Sequence, residues 1–134
     1  MPVEAVVFDI GNVLIEWNPE RIFDTKIGED RRHALCETVD LHNMHVAVDR
    51  GGDLATVVQD EARKYPEWEA DILIWRDHWL DMVGPTIEPS VTILRELRAQ
   101  GVPVFALSNF GRGTVEMSVP LYPFLVEFDR SYIS

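Results

Sequence analysis

Ala5-Val6-Val7-Phe8-Asp9-Ile10-Gly11-Asn12-Val13-Leu14 is the stretch that decides the fold. An apolar run this short, bounded by a turn signal, predicts a strand buried on both faces, as in a parallel sheet with helices above and below. Asp9 then stands at the carboxyl end of the strand, where open α/β sheets bind their ligands. Gly11 lets the backbone turn tightly just beyond it, and Asn12 tolerates unusual dihedrals and supplies an amide. A plain strand ending on a surface Asp would read the same way, so a second stretch has to decide.

Val102-Pro103-Val104-Phe105-Ala106-Leu107-Ser108-Asn109 is another apolar run, ending on a hydroxyl and an amide. Two such strands side by side would carry Asp9 and Ser108 to one rim. In these two motifs the chain resembles the haloacid dehalogenase-like hydrolases, whose first motif is a strand ending in a nucleophilic Asp and whose second is a strand ending in Ser or Thr. Phe8-Asp9-Ile10-Gly11-Asn12-Val13-Leu14, followed by Glu16-Trp17-Asn18-Pro19, is similar to the branch that carries Gly-Asn after the Asp. Sugar-phosphate phosphatases are found in that branch.

The resemblance covers nearly the whole chain and implies a chemistry. Asp9 would attack phosphorus to form an aspartyl-phosphate, splitting hydrolysis into two easier displacements. Mg²⁺ would be held by the Asp9 carboxylate and the Gly11 backbone carbonyl, hard oxygen ligands that suit it. Gly11, Asn12, Ser108 and Asn109 would surround the phosphate. The implied substrate is a small phosphorylated metabolite such as a sugar phosphate.

The chain departs from the family in two places. Most phosphatases of the superfamily carry a second Asp two residues after the nucleophile, and that place is Gly11 here. General acid–base catalysis is typically worth ~10²–10⁴-fold, so its loss favours a leaving group that departs easily, such as that of a sugar 1-phosphate, or a proton delivered through water. Dehalogenases also lack that Asp, because halide leaves without a proton, so a 2-haloacid dehalogenase is one alternative. A non-catalytic binding protein that kept the fold is another. The second departure is that the family's later motifs, a basic Lys and an acidic pair that completes the metal site, are not in these 134 residues. Lys26 and Lys64 lack the family's context. The expectation is a portion of a longer protein, inactive or incomplete alone, with the Asp9 strand as an open apolar edge that invites pairing with a second chain.

Between the two strands the signals are helical. Asn18-Pro19 reads as a helix start, with a short helix through Ile22 and Phe23 that breaks near Gly28. Asp30 is expected to cap the next helix, whose narrow apolar face is Ala34, Leu35, Thr38 and Val39. From Leu41 to Gly52 the pattern weakens, and Gly51-Gly52 reads as a loop. Asp53 caps a further helix through Leu54, Val57, Val58, Glu61 and Ala62, stopped at Tyr65-Pro66. Trp68 to Val83 is the most periodic stretch, with Ile72, Trp75, Trp79, Met82 and Val83 on one face, either a bundle seam or a pocket lining.

Glu88-Pro89-Ser90 begins a helix through Val91, Leu94 and Leu97 that ends at Gly101 and leads into the Ser108 strand. A third strand is expected over Phe128 to Ile133, and a right-handed crossover is the economical topology. The expected fold is thus α/β: a partial parallel Rossmann-like sheet flanked by helices (residues 1–16 and 89–134) with an inserted helical-bundle cap (residues 17–88).

Composition bounds the partners. The formal net charge of −11 argues against nucleic acid and against an anionic membrane surface, since both are held by basic patches. No apolar stretch approaches the ~18 residues of a spanning helix, and Met1-Pro2-Val3-Glu4 lacks the basic start of a signal peptide, so a cytoplasmic protein is expected. Cys36 is the single cysteine and is expected to pack beside Leu35. His42 and His45, with Asp40 and Asp49 nearby, lack the distant third ligand of a transition-metal site. Ser108 has no partnered His for a hydrolase triad. Gly111-Arg112-Gly113 is too short for a nucleotide loop, although Arg112 is close enough to the second motif to touch an anion.

Overall fold

Val6–Phe8 form the first strand, β1, and Val104–Ser108 a second, β4, that runs parallel to it with Val6 opposite Val104 and Phe8 opposite Ala106. A further strand, β5 (Arg130–Ile133), runs parallel to β4 on its other side. The computed structural model describes residues 3–133; Met1, Pro2 and Ser134, at the outer ends of the expected core segments, lie outside the described residues. The order β1-β4-β5 makes β1 an edge strand among the described residues. β5 starts two residues later than expected because Asp129 is spent on β4: its amide donates to the Val104 carbonyl and its carboxylate accepts from the Val104 amide, both at 2.8 Å.

Among the described residues, one face of this sheet is covered and the other is open. Phe8, Val104 and Ala106 join Val91 and Leu94 of the preceding helix in the buried cluster. That helix, α7 (Glu88–Ala99), has the apolar spacing read from the sequence. On the opposite face Val7, Leu107 and Tyr132 are 59%, 59% and 53% exposed. The expectation of strands buried on both faces is therefore corrected: the apolar run in β4 is continuous, but its odd-numbered side chains face outward.

Six helices lie between β1 and α7. They are α1 (Pro19–Ile27), α2 (Glu29–Thr38), α3 (Leu41–Asp49), α4 (Leu54–Lys64), α5 (Glu69–Asp77) and α6 (Trp79–Met82), with a 3-10 turn at Pro66–Trp68. Asn18 caps α1 by accepting the Arg21 amide, and Asp53 caps α4 by accepting the Thr56 amide, as their positions before the apolar periods predict. Asp30 does not cap α2; Gly28 holds that place and Asp30 lies in the first turn. α3 was not expected. Its cap is Asp40, which accepts from the Asn43 amide, and its buried residues are Leu41, Met44, Val48 and Asp49.

The stretch Trp68 to Val83 is not one helix. It bends at His78, and after Met82 the chain becomes β3 (Val83–Thr86), which pairs antiparallel with β2 (Ile15–Trp17). Helical spacing continues through Val83, but Gly84, with φ +108, and Pro85 cannot continue a helix. This small second sheet ties the start of the helical layer to its end.

Cys36 is exposed, not packed; the neighbouring Leu35 takes the buried position. Asp71, buried on α5, receives two hydrogen bonds from Arg31 of α2 at 3.2 and 2.6 Å, and the same guanidinium lies 4.6 Å from the centre of the Trp68 ring. No described helix is long and apolar enough to cross a membrane.

The aromatic seam is packed. Trp75 and Trp79 are 5% and 1% exposed. Rings of this size bury ~150–250 Å² each, which at ~25 cal/mol/Å² stabilises by about 4–6 kcal/mol. Among the described residues neither indole N–H has a hydrogen-bond partner, a cost of ~1–3 kcal/mol apiece, so burial wins. Trp79→Ala is expected to cost ~3–5 kcal/mol in urea unfolding. Trp79→Phe should cost less, because it removes the unpaired donor along with part of the ring. A Phe variant as unstable as the Ala variant would contradict this packing account.

Candidate functional site

The ends of β1 and β4 meet at a shallow concavity of about 490 Å³ lined by Val7, Asp9, Leu107, Ser108 and Asn109. Three of the residues read from the sequence are therefore brought together there. Parallel pairing does this: with Phe8 opposite Ala106, the residues that follow each strand emerge on the same rim.

The loop after β1 is a tight knot around one carbonyl. The Ile10 oxygen accepts from the amides of Val13, Leu14 and Ile15 at 3.2, 2.9 and 3.2 Å. Asn12 has φ 59, the left-handed region that Asn enters more readily than most residues. Its amide donates to the Ile15 carbonyl at 2.7 Å, and its side-chain oxygen accepts from the Trp17 amide at 2.8 Å. Asn12 thus fastens this loop to β2, and neither it nor Gly11 lines the concavity. A Cβ at Gly11 would come within 3.1 Å of the Phe110 ring, so the loops after β1 and β4 rest on each other.

Asp9 is exposed, and its Oδ1 accepts from the Ile10 amide at 2.7 Å. Ser108 is 6% exposed, and its Oγ accepts from the Phe110 amide at 3.1 Å. That bond uses a lone pair and leaves the hydroxyl proton to donate. Asn109 is exposed at the mouth. Among the described residues no three or more His, Cys, Asp or Glu side chains cluster as a metal site. The charged hard-oxygen donor that lines the rim is the Asp9 carboxylate. A carboxylate matches the oxygen preference of Mg²⁺, which is bound through one or two carboxylates plus substrate phosphates and keeps several waters.

Sequence reasoning missed what lies behind this rim. The ring of His45, on α3, stacks on Trp17 at 5.1 Å between centres and 18° between planes, and lies 5.5 Å from Trp75. Its Nε2 is 3.1 Å from the Asp49 carboxylate, while Nδ1 is buried without a partner. Burial pushes the imidazole below its ordinary value; the Asp49 charge pulls it back up and His42 adds to the depression. Burial pushes the Asp49 carboxyl up, against the pull of His45 and of the Gly111 amide. The spacing of four between His45 and Asp49 was visible, but the helix that gives it meaning was not.

A larger cleft, about 590 Å³, lies between the α3–α4 turn and the helix that follows the β4 loop, α8 (Arg112–Ser118). It shares no lining residue with the Asp9 concavity. Comparison with protein-family models, curated proteins and solved structures found no match for the chain.

His45 is held less protonated in the fold than in the unfolded chain. Its share of stability is therefore intact above about pH 6.5 and is lost as the pH falls through that value and on through the lower folded one. Asp49 acts in the opposite sense, its share present below the ordinary carboxylate value and lost as pH rises through the folded one. In a proton NMR titration the His45 ring is expected to change charge below about 6.5. In Asp49→Asn, which removes the charge that raises it, the midpoint should fall further. A midpoint that rises or stays put in that variant would contradict the pairing.

Proposed function

We propose that the rim formed by Asp9, Ser108 and Asn109 is the nucleophile end of a haloacid dehalogenase-like hydrolase. In this reading the sheet is a partial Rossmann-like core and the helices between β1 and α7 are its cap. The reaction is phosphatase chemistry on a small phosphorylated metabolite such as a sugar phosphate. The observation that carries the reading is the meeting of a carboxylate and a hydroxyl, from distant parts of the chain, at the carboxyl ends of two adjacent parallel strands, where α/β sheets do chemistry.

The residues divide the work as follows. Asp9 Oδ1 is engaged by the Ile10 amide, which leaves Oδ2 for the substrate. A bond forms from Asp9 to phosphorus, and the bond to the leaving oxygen breaks with its electron pair. The Ser108 hydroxyl, fixed by the Phe110 amide, donates to a phosphoryl oxygen, and the Asn109 side chain offers a second donor. Water then attacks the aspartyl-phosphate and frees both Asp9 and phosphate. Mg²⁺, when bound, would be held by Asp9 and the Gly11 carbonyl and would neutralise negative charge between nucleophile and phosphate. Gly11 cannot protonate the leaving oxygen, which favours a leaving group of low basicity, such as the anomeric oxygen of a sugar 1-phosphate.

Asp9→Asn is expected to abolish turnover of an aryl phosphate assayed with Mg²⁺, while circular dichroism and thermal unfolding stay close to the parent, because the side chain is exposed and nearly isosteric. Ser108→Ala should lower turnover by about 10- to 100-fold through loss of one hydrogen bond to a charged group. Turnover surviving in the Asn variant would sink the covalent mechanism.

A further inference from the structure

Gly51-Gly52, a loop by its sequence, and Gly111-Arg112-Gly113, at the start of α8, line one cleft. Both close on the last turn of α3. A Cβ at Gly52 would lie 2.7 Å from the Ala47 carbonyl oxygen, and one at Gly111 would lie 2.6 Å from the Val48 carbonyl oxygen. Side chains at these two positions would force the loops off the helix, so the approach depends on bare backbone. Gly113, by contrast, has nothing within 4 Å of an added Cβ and opens on the cleft. The volume of about 590 Å³ falls within the range of small-molecule sites.

The charge in this cleft is sparse and assigned. Asp53 is on one wall, and its Oδ2 already accepts from the Thr56 amide and hydroxyl at 3.0 and 2.8 Å. Asp49, behind Gly111, is paired with His45. The α3 carbonyls that would repel an anion are themselves engaged: Ala47 accepts from the Gly52 amide and Val48 from the Gly51 amide, both at 3.0 Å. Thr114 gives its hydroxyl proton to the Gly111 carbonyl at 2.9 Å. Arg112 is exposed and is the one cation of the lining. Among the described residues it makes no ion pair, as is also true of Arg21, Arg50, Arg98 and Arg130, and of these it is the one that lines the cleft.

We propose that this cleft binds a small oxyanion, a phosphate or carboxylate group of a metabolite, with the Arg112 guanidinium as its charged partner. The planar fork of Arg matches the two oxygens of either group, which a Lys ammonium cannot do. Gly113 leaves the backbone open to such a ligand, and Val48, Leu54 and Met117 supply apolar lining around it. The site does not depend on Asp9 chemistry, since the two concavities share no residue.

The test is a titration of protein labelled with ¹⁵N-glycine, using inorganic phosphate and malonate as probes and potassium chloride as the ionic-strength control. Saturable shifts of the Gly52, Gly111 and Gly113 amides are expected with at least one oxyanion and not with chloride; the two arms tell phosphate from carboxylate. Arg112→Ala should weaken the binding by about tenfold or more, as loss of a hydrogen bond to a charged group predicts, and Arg112→Lys should restore only part of it. Asp9→Asn and Ser108→Ala should leave these shifts unchanged, which separates failure of this site from failure of the phosphatase reading. Shifts confined to Gly11, shifts equal in Arg112→Ala and the parent, or shifts that chloride reproduces would each overturn the proposal.

Discussion

Trp17 is the side chain on which both layers close. It ends β2, and its ring meets Trp75 at 5.9 Å, Trp79 at 5.6 Å, Phe110 at 6.0 Å and His45 at 5.1 Å. Those partners come from α5, α6, the loop after β4 and α3. One ring therefore fixes the helical layer against the loop that carries Ser108 and Asn109. Its backbone is fixed as well, by the Asn12 side chain from the loop after Asp9. Position along the rim is thus set from behind, by large apolar rings that have few alternative packings.

That arrangement explains why the exposed end of the site can be simple. Asp9, Ser108 and Asn109 make few contacts of their own, and their placement comes from parallel pairing, the knot on the Ile10 carbonyl and the contact of Gly11 with Phe110. Rigid support behind a small polar set is what binding and catalytic geometry require. Two buried indole donors without partners show where packing took precedence over hydrogen bonding. His45 belongs to the same compromise: its Nε2 has Asp49, its Nδ1 has nothing, and its face is satisfied by Trp17.

What could be read from the sequence was whatever a local pattern specifies. The strands ending at Asp9 and Ser108 were legible because apolar runs stop at turn residues, and the caps Asn18 and Asp53 because polar residues precede apolar periods. α3 was not legible, because the apolar part of its buried face is Leu41, Met44 and Val48, the buried face also takes the carboxylate of Asp49, and histidines and an asparagine intervene. The β2–β3 pair was hidden for another reason. Ile15–Trp17 and Val83–Thr86 are each only three or four residues long and pair across the whole helical layer, and no local rule reports a partner that distant. Asn12 was read as a group near phosphate, and its side chain instead holds the Trp17 amide.

The uncovered sheet face follows from the same limit. Apolarity told that β4 wanted burial, and period-2 geometry divides such a strand equally between two faces. Val104 and Ala106 found α7 on one side, while Leu107, in the same strand, remains 59% exposed beside Val7 and Tyr132. A sequence pattern reports the demand for cover, and only the arrangement of helices reports which face receives it. The helical layer spends its apolar surface on its own seam around Trp75 and Trp79, leaving α7 as the helix whose Val91 and Leu94 join the buried face of the sheet. Among the described residues β1 is thus both the strand that leads into Asp9 and an edge of the sheet.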